Sequence, residues 1–218
     1  MSEPEKPSIS RRGFLKAAGV TAASSLVESV HAVTRETNES SHGPRTSGPG
    51  AVPVVLHVNG VAHSLSVEPR ITLSEALRDS LGLTGTKVVC DRGSCSACTV
   101  WIDKVPTLSC MTLAIDVSSR NITTIEGIAS GNQLHPLQAA FVKHDAMQCG
   151  FCTPGMVMSC VALLDRNPNP TLDDVKQAVS GNLSRCGTYP KVFAATLEAA
   201  QTHKSNSQVV STGSEEGA

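Results

Sequence analysis

Three cysteines in one short loop constrain this chain more than any other feature. Cys90, Cys95 and Cys98 follow the spacing C-x4-C-x2-C, and Cys110 lies a short distance further along. This is the plant-type spacing for a [2Fe–2S] cluster, whose two irons need four thiolates converging on one small volume. The spacing therefore predicts that one loop wraps a cluster and that a following strand supplies the fourth ligand.

Other uses of four cysteines must be weighed against an iron–sulfur cluster. A structural zinc site usually combines two C-x2-C pairs, and an exported protein can join its cysteines as disulfides. The glycine and small residues between these cysteines favour iron, because they let backbone N–H groups approach cluster sulfurs. We therefore predict an iron–sulfur site, with zinc or disulfides as the alternative.

Composition narrows the class of protein further. The chain has 218 residues, aromatic side chains make up 3% of them, and the formal net charge is −1. Cores with so few large rings are expected to gain stability from bound clusters, because ligation free energy adds to folding free energy. The lack of a long basic run argues against a nucleic-acid partner. No apolar stretch is long enough to predict a transmembrane segment.

The N-terminus carries the pattern of a twin-arginine export signal. The motif S-R-R-G-F-L-K occupies residues 10–16, a weakly apolar stretch follows to about residue 27, and small residues at 30–32 offer a cleavage site. We predict a signal peptide over residues 1–32 and a periplasmic location for the folded protein. A basic terminus ahead of a short helix is the alternative. Export after folding would let the cysteines bind iron before they reach an oxidising compartment.

The rest of the chain divides into two predicted domains between a linker and a tail. Residues 33–52 are rich in Ser, Gly, Pro and Thr, which is typical of a linker, and residues 203–218 are predicted to form a disordered tail. Residues 53–126 combine a hairpin turn at Asn59-Gly60, a capping box at Thr72 and the cysteine loop. Strands are expected at 54–58, 61–67, 99–102, 110–114 and 122–125. This order of elements predicts a β-grasp, plant-type ferredoxin-like domain.

Residues 127–202 change to a helical period and predict a small four-helix bundle. Cys149 and Cys152 form a C-x2-C before its second helix, and Cys186 lies between its third and fourth. Cys160 lies about 12 Å further along the second helix than Cys152, so we predict that it is a core residue. The helices are expected at about 134–145, 153–165, 171–181 and 189–201. The fold class is therefore α+β.

Five motifs give the chain a resemblance to a known family. They are C-D-R-G-S-C-S-A-C-T-V, T-T-I-E-G, L-H-P-L-Q-A-A-F, Q-C-G-F-C-T-P-G and S-G-N-L-S-R-C-G-T-Y. From about residue 54 to 200 the chain resembles the iron–sulfur subunit of the xanthine oxidase family, and most resembles exported, three-subunit aldehyde oxidoreductases.

The resemblance implies an electron-transfer subunit with two [2Fe–2S] clusters. A molybdenum–pterin large subunit would oxidise aldehydes or N-heterocycles, and electrons would leave towards a flavin subunit with FAD or a cytochrome. No catalytic residue is expected on this chain. The alternatives are a stand-alone periplasmic ferredoxin-like carrier and a periplasmic binding protein with zinc or disulfides.

The resemblance also implies the residues of the second site. Cys149, Cys152, Ser184 and Cys186 occupy its ligand positions, and Gln148 and Cys186 occupy the positions that touch the pterin. Ser184 stands where the family has cysteine, and a serine oxygen is a harder and poorer iron ligand than a thiolate. It could bind iron as an alkoxide, leave one iron to water, leave the cluster labile, or leave the site unfilled.

Smaller departures from the family lie near the first site. Val89, Ser96 and Lys104 stand where the family usually or often has glycine, which serves where the backbone needs positive φ or a close approach. The β-branched Val89 is expected to be the least compatible of the three. Trp101 is predicted to pack on the β-grasp sheet.

Replacing both signal arginines tests the export prediction. Arg11→Lys with Arg12→Lys should leave the protein in the cytoplasm with its clusters intact, because the twin-arginine motif is read by a receptor. Cell fractionation with immunoblotting measures this. Arg35→Lys with Arg45→Lys removes as many arginines from the predicted linker and should not change export. Normal periplasmic yield of the first variant would show that the motif is not an export signal.

Overall fold

The computed structural model describes residues 48–212. The predicted signal peptide, most of the linker and the last residues of the tail lie outside this range. No helix within it is long and apolar enough to cross a membrane.

The strands are β1 (Val52–Val58), β2 (Val61–Val67), β3 (Thr99–Ile102), β4 (Val105–Leu108) and β5 (Asn121–Thr123). The helices are α1 (Leu73–Glu75), α2 (Pro136–Lys143), α3 (Thr153–Arg166), α4 (Leu172–Ala178) and α5 (Tyr189–Thr212).

The first domain is built on a mixed sheet in the order β2-β1-β5-β3-β4. β1 and β2 form an antiparallel hairpin that turns at Asn59-Gly60, where φ is 51° and 82°. β5 pairs parallel with β1 and antiparallel with β3. Thr72 caps α1, and a π-helical turn, Ala76–Ser80, continues it. Leu73 of α1 and Leu77 of this turn are buried in the core of the sheet. The prediction of a β-grasp domain is confirmed.

The predicted strand at residues 110–114 is wrong. The strand is β4, and Cys110 lies in the 3₁₀ turn Ser109–Met111 that follows it. Asp103 and Lys104 both have positive φ, so they close a tight turn that brings β4 back along β3 immediately. The Ser109 hydroxyl then donates to the Cys98 carbonyl at 2.7 Å. This bond ends the strand beside the cysteine loop and delivers Cys110 to it.

The second domain contains the four predicted helices, α2 to α5, around one apolar core. Cys160 is fully buried in this core, which confirms its predicted role. α5 continues beyond its expected end near residue 201 to Thr212, across part of the segment predicted to be a tail. The largest fully buried side chains of this core are Leu137, Phe141, Met156 and Met158.

Trp101 was predicted to pack on the β-grasp sheet, but its ring packs into the helical domain. It lies in β3, but its buried ring belongs to the apolar core of the helical domain. The indole Nε1 donates to the Met158 carbonyl of α3 at 3.0 Å. A tryptophan supplies both a large apolar surface and one N–H donor, so this residue fastens the sheet to α3.

A second contact between the domains requires glycine at position 155. Gly155 lies in the first turns of α3, and a Cβ built there would be 2.2 Å from the Ser96 carbonyl oxygen. That oxygen also accepts a hydrogen bond from Asn182 Nδ2 at 3.2 Å. Since backbone cannot yield as a flexible side chain can, the cysteine loop and α3 can lie this close only with glycine.

We therefore expect Gly155→Ala to destabilise the protein by about 1–3 kcal/mol, because overpacking costs more than alanine gains in helix propensity. Thermal unfolding of the full chain measures the loss. Gly50→Ala is the control, since nothing lies within 4 Å of its Cβ position. An unchanged midpoint for Gly155→Ala would show that the two segments are not in close contact.

Candidate iron–sulfur sites

Four free thiols converge at the first site. Cys90 is partly exposed, whereas Cys95, Cys98 and Cys110 are buried. The Cys90 thiol hydrogen-bonds with the Cys95 thiol, and the Cys98 thiol with the Cys110 thiol. Cys110 also interacts electrostatically with Cys90. The structure thus brings together all four residues that the spacing predicted.

Backbone amides of the loop point at these sulfurs. The Ser94 amide donates to Cys90 Sγ at 3.2 Å, and the Arg92 amide donates to the same thiol. The Gly93 amide donates to Cys110. Amides directed into one concave loop stabilise negative charge, and such donors tune bound clusters. The loop therefore fits an anionic iron–sulfur cluster.

Several residues of the loop adopt left-handed backbone conformations, which turn its amides towards the sulfurs. Asp91, Gly93 and Ser96 have φ of 51°, 72° and 55°. Ser96 thus adopts the conformation for which the family uses glycine, at a cost of about 1–3 kcal/mol. Val89 is not among the positive-φ residues, and its side chain is exposed. The expectation that Val89 is the least compatible departure is therefore wrong.

The protonation of the thiols differs across the site. The Arg92 amide, above all, lowers the pKa of Cys90 to about 7. Burial raises the pKa of Cys110 to about 12 and also raises that of Cys95. Thiolates are the species that bind metal, so iron binding has to displace protons from the buried thiols.

The thiols of the first site form two pairs, Cys90 with Cys95 and Cys98 with Cys110. Among the described residues, no three Cys, His, Asp or Glu side chains are placed to hold a single metal ion. A binuclear cluster spreads its four protein ligands over two irons and so needs a wider set. The four converging thiols of the first site are compatible with such a set.

The second site is assembled from two distant segments. Cys152 begins α3 and is half-buried, while Cys149 is exposed three residues earlier. Cys186 comes from the loop between α4 and α5, and its Sγ lies 3.5 Å from Cys149 Sγ. The Phe151 amide, above all, lowers the pKa of Cys149. The structure therefore brings together thiols 37 positions apart.

Ser184 lies in the same loop as Cys186. Its amide donates to the Tyr189 hydroxyl at 2.9 Å, and its Oγ lies 3.4 Å from Thr188 Oγ1. The Tyr189 hydroxyl in turn donates to the Asn182 carbonyl at 2.8 Å. These bonds fix the loop that carries the fourth ligand position. The sequence analysis missed Thr188 and Tyr189, although both belong to the motif around Cys186.

Gln148 and Cys186 line one polar cavity of about 500 Å³. Lys191 and Asp145 also line it and form an ion pair. The two residues for which the resemblance implies pterin contact therefore lie on one surface. The ion pair was not predicted, because its partners come from different helical segments.

The two sites meet through the backbone. The Leu183 amide, immediately before Ser184, donates to the Cys95 carbonyl at 3.0 Å. One residue along, the Asn182 side chain donates to the Ser96 carbonyl and accepts from the Ser159 hydroxyl at 3.0 Å. The ligand loops of both sites thus support each other directly.

Comparisons with known proteins agree with this geometry. The family described as "2Fe-2S iron-sulfur cluster binding domain" matches residues 56–115, and the "[2Fe-2S] binding domain" family matches residues 124–197. The aldehyde oxidoreductase iron-sulfur-binding subunit of Escherichia coli O157:H7 is 40% identical over 218 residues, 93% of each chain. The nicotine 6-hydroxylase small subunit of Paenarthrobacter nicotinovorans is 45% identical over 68% of this chain and 89% of its own.

A solved structure shows the same fold. A chain of quinoline 2-oxidoreductase from Pseudomonas putida 86 is similar with a TM-score of 0.66 and 41% identity. The similarity covers 70% of this chain and 98% of that one. Both domains therefore have a counterpart of known structure.

Cys95→Ala tests the first ligand set, because alanine offers iron no donor atom. The variant should lose about two irons per chain and fold less stably, because the remaining thiols cannot complete a cluster. Iron analysis and visible absorption measure the loss. Cys160→Ala is the matched control, since this buried cysteine lies in the helical core and should keep full iron content. Equal iron in both variants would contradict the assignment of Cys95.

Proposed function

Because the chain belongs to the family of [2Fe–2S] iron–sulfur subunits of molybdenum hydroxylases, the xanthine oxidase family, we propose that it relays electrons from a molybdenum–pterin large subunit. That partner oxidises aldehydes or N-heterocycles. The electrons leave towards a flavin subunit that carries FAD, or towards an external carrier such as a cytochrome. This chain contributes no substrate chemistry of its own.

The residues of the first site would hold a plant-type cluster. When bound, each [2Fe–2S] cluster supplies a one-electron carrier. Cys90, Cys95, Cys98 and Cys110 are the four ligands, and burial of the last three keeps water away from the sulfurs. The loop amides stabilise the negative charge that the thiolates bring.

The second site would hold the other cluster. Cys149, Cys152 and Cys186 are its thiolate ligands, and Ser184 occupies the remaining position. Gln148 and Cys186 face the cavity where the pterin of the partner subunit would meet this chain. In this proposal the second site is the one that receives electrons from the molybdenum–pterin subunit.

The observation that carries the proposal is the bond from the Leu183 amide to the Cys95 carbonyl. It holds two separate thiol sets side by side, as a two-step electron relay requires. A stand-alone ferredoxin-like carrier would need only the first set. All eight cysteines of the chain are free, which disfavours a disulfide-bonded binding protein.

Export to the periplasm by the twin-arginine pathway is part of the proposal. It is supported by the motif S-R-R-G-F-L-K and the order of the segments that follow it. Export in the folded state also agrees with the burial of Cys95, Cys98 and Cys110, because a cluster held by buried thiols would be inserted as the chain folds.

Purification of the tagged full chain from its source cells tests the proposed function. We expect a red-brown complex with a molybdenum-containing large subunit, about four irons per copy of this chain, and two distinct EPR signals after reduction. Adding an aldehyde or an N-heterocycle should bleach the visible absorption. A colourless protein that contains zinc, or a red protein without molybdenum, would contradict the proposal.

A further inference from the structure

One thiol–thiol contact at the second site indicates which two of its cysteines would share an iron. Two thiolates at about 2.3 Å from one tetrahedral metal lie about 3.8 Å apart. Cys149 Sγ and Cys186 Sγ lie 3.5 Å apart, which fits two ligands of the same iron. At the first site, thiol–thiol hydrogen bonds likewise join Cys90 to Cys95 and Cys98 to Cys110.

This pairing leaves Cys152 and Ser184 for the other iron. Cys152 is half-buried at the start of α3 and packs against the helical core. Ser184 is also half-buried, whereas Cys149 is exposed. We call the iron of Cys152 and Ser184 the inner iron and the iron of Cys149 and Cys186 the outer iron.

Thr188 is placed to support a serine oxygen at the inner iron. Its side chain is buried, and its Oγ1 lies 3.4 Å from Ser184 Oγ. A serine that binds iron has given up its proton and can only accept hydrogen bonds, and the Thr188 hydroxyl can donate one. The bond from the Ser184 amide to Tyr189 holds the loop in place.

We propose that Ser184 and Cys152 bind the inner iron, that Thr188 positions and stabilises the serine oxygen, and that the outer iron is the one that is reduced. The proposal rests on the proposed function, because it requires a second cluster. An oxygen donor is harder than sulfur and favours Fe(III) over Fe(II). When bound, the second cluster would take up one electron, from the molybdenum–pterin partner in the proposed function or from dithionite in the test, and the serine oxygen would disfavour placing it on the iron that Ser184 binds.

The consequence concerns where the electron resides. Cys186, which would bind the outer iron, lines the cavity together with Gln148. The hydrogen bond from the Leu183 amide to the Cys95 carbonyl instead links the first site to the residue next to Ser184, the proposed ligand of the inner iron. Ser184 thus keeps the electron on the side of the donor, and a cysteine there would make the two irons more alike.

The experiment uses the full chain enriched in ⁵⁷Fe and reduced with dithionite, a one-electron donor. The variants are Ser184→Cys, Thr188→Val and both together. Thr196→Val is the matched control, because this buried threonine lies on α5 and donates to the Val192 carbonyl at 2.8 Å. Mössbauer spectroscopy identifies the ferric and ferrous irons, and EPR-monitored titration gives the reduction potential of the second cluster.

We expect Ser184→Cys to change the ferric component of the second cluster and to leave its ferrous component unchanged. Thr188→Val should lower the equilibrium constant for reduction about tenfold, which is about 59 mV for one electron, because the oxygen loses a hydrogen-bond donor. In the Ser184→Cys background the same change should have little effect. Thr196→Val should shift neither quantity.

Other outcomes overturn different parts of the proposal. A change confined to the ferrous component would place the oxygen on the outer iron. No change in either component would show that Ser184 does not bind iron. Equal shifts for Thr188→Val in both backgrounds would show that Thr188 acts on the loop and not on the oxygen. About two irons per chain, unaffected by Cys149→Ala, would instead refute the second cluster and with it the two-cluster function.

Discussion

The close approach of the Ser96 carbonyl to Gly155 is the constraint on which both iron–sulfur sites depend. A backbone oxygen occupies the space that any side chain at position 155 would need. The Ser96 carbonyl also accepts a hydrogen bond from the Asn182 side-chain amide. The neighbouring Cys95 carbonyl accepts one from the backbone amide of Leu183. One short stretch of the first cysteine loop therefore positions the start of α3 and the loop that carries the second site.

The electrostatics of the cysteine loop link folding to metal binding. This link is important in a protein whose cores contain few large aromatic side chains. Burying thiolates costs free energy unless donors and cations compensate for it. The amides of Arg92, Gly93 and Ser94 supply donors, but burial still raises the pKa of Cys110 to about 12. Iron supplies the missing positive charge, so binding and folding should reinforce each other.

The motif T-T-I-E-G has a structural role between the domains. Thr124 is buried and exchanges hydrogen bonds with the Asn59 side chain in the first hairpin turn. Glu126 accepts from the Thr124 hydroxyl and from the Gly85 amide, in the segment ahead of the cysteine loop. A Cβ at Gly127 would lie 2.2 Å from Asn59 Oδ1. This network ties the hairpin, the domain junction and the approach to Cys90 together.

The sequence by itself determined the β-grasp order, the helical second domain and the ligand positions of the first site, because cysteine spacing, turns and caps act over a few residues. Only the tertiary structure decided that β4 precedes Cys110, that Trp101 packs into the helical core, and that Cys149 faces Cys186. Each of these depends on segments that meet across the fold, and local patterns do not encode which distant partners meet. The contact between Thr188 and Ser184 could not be predicted either, because it depends on how the loop before α5 folds.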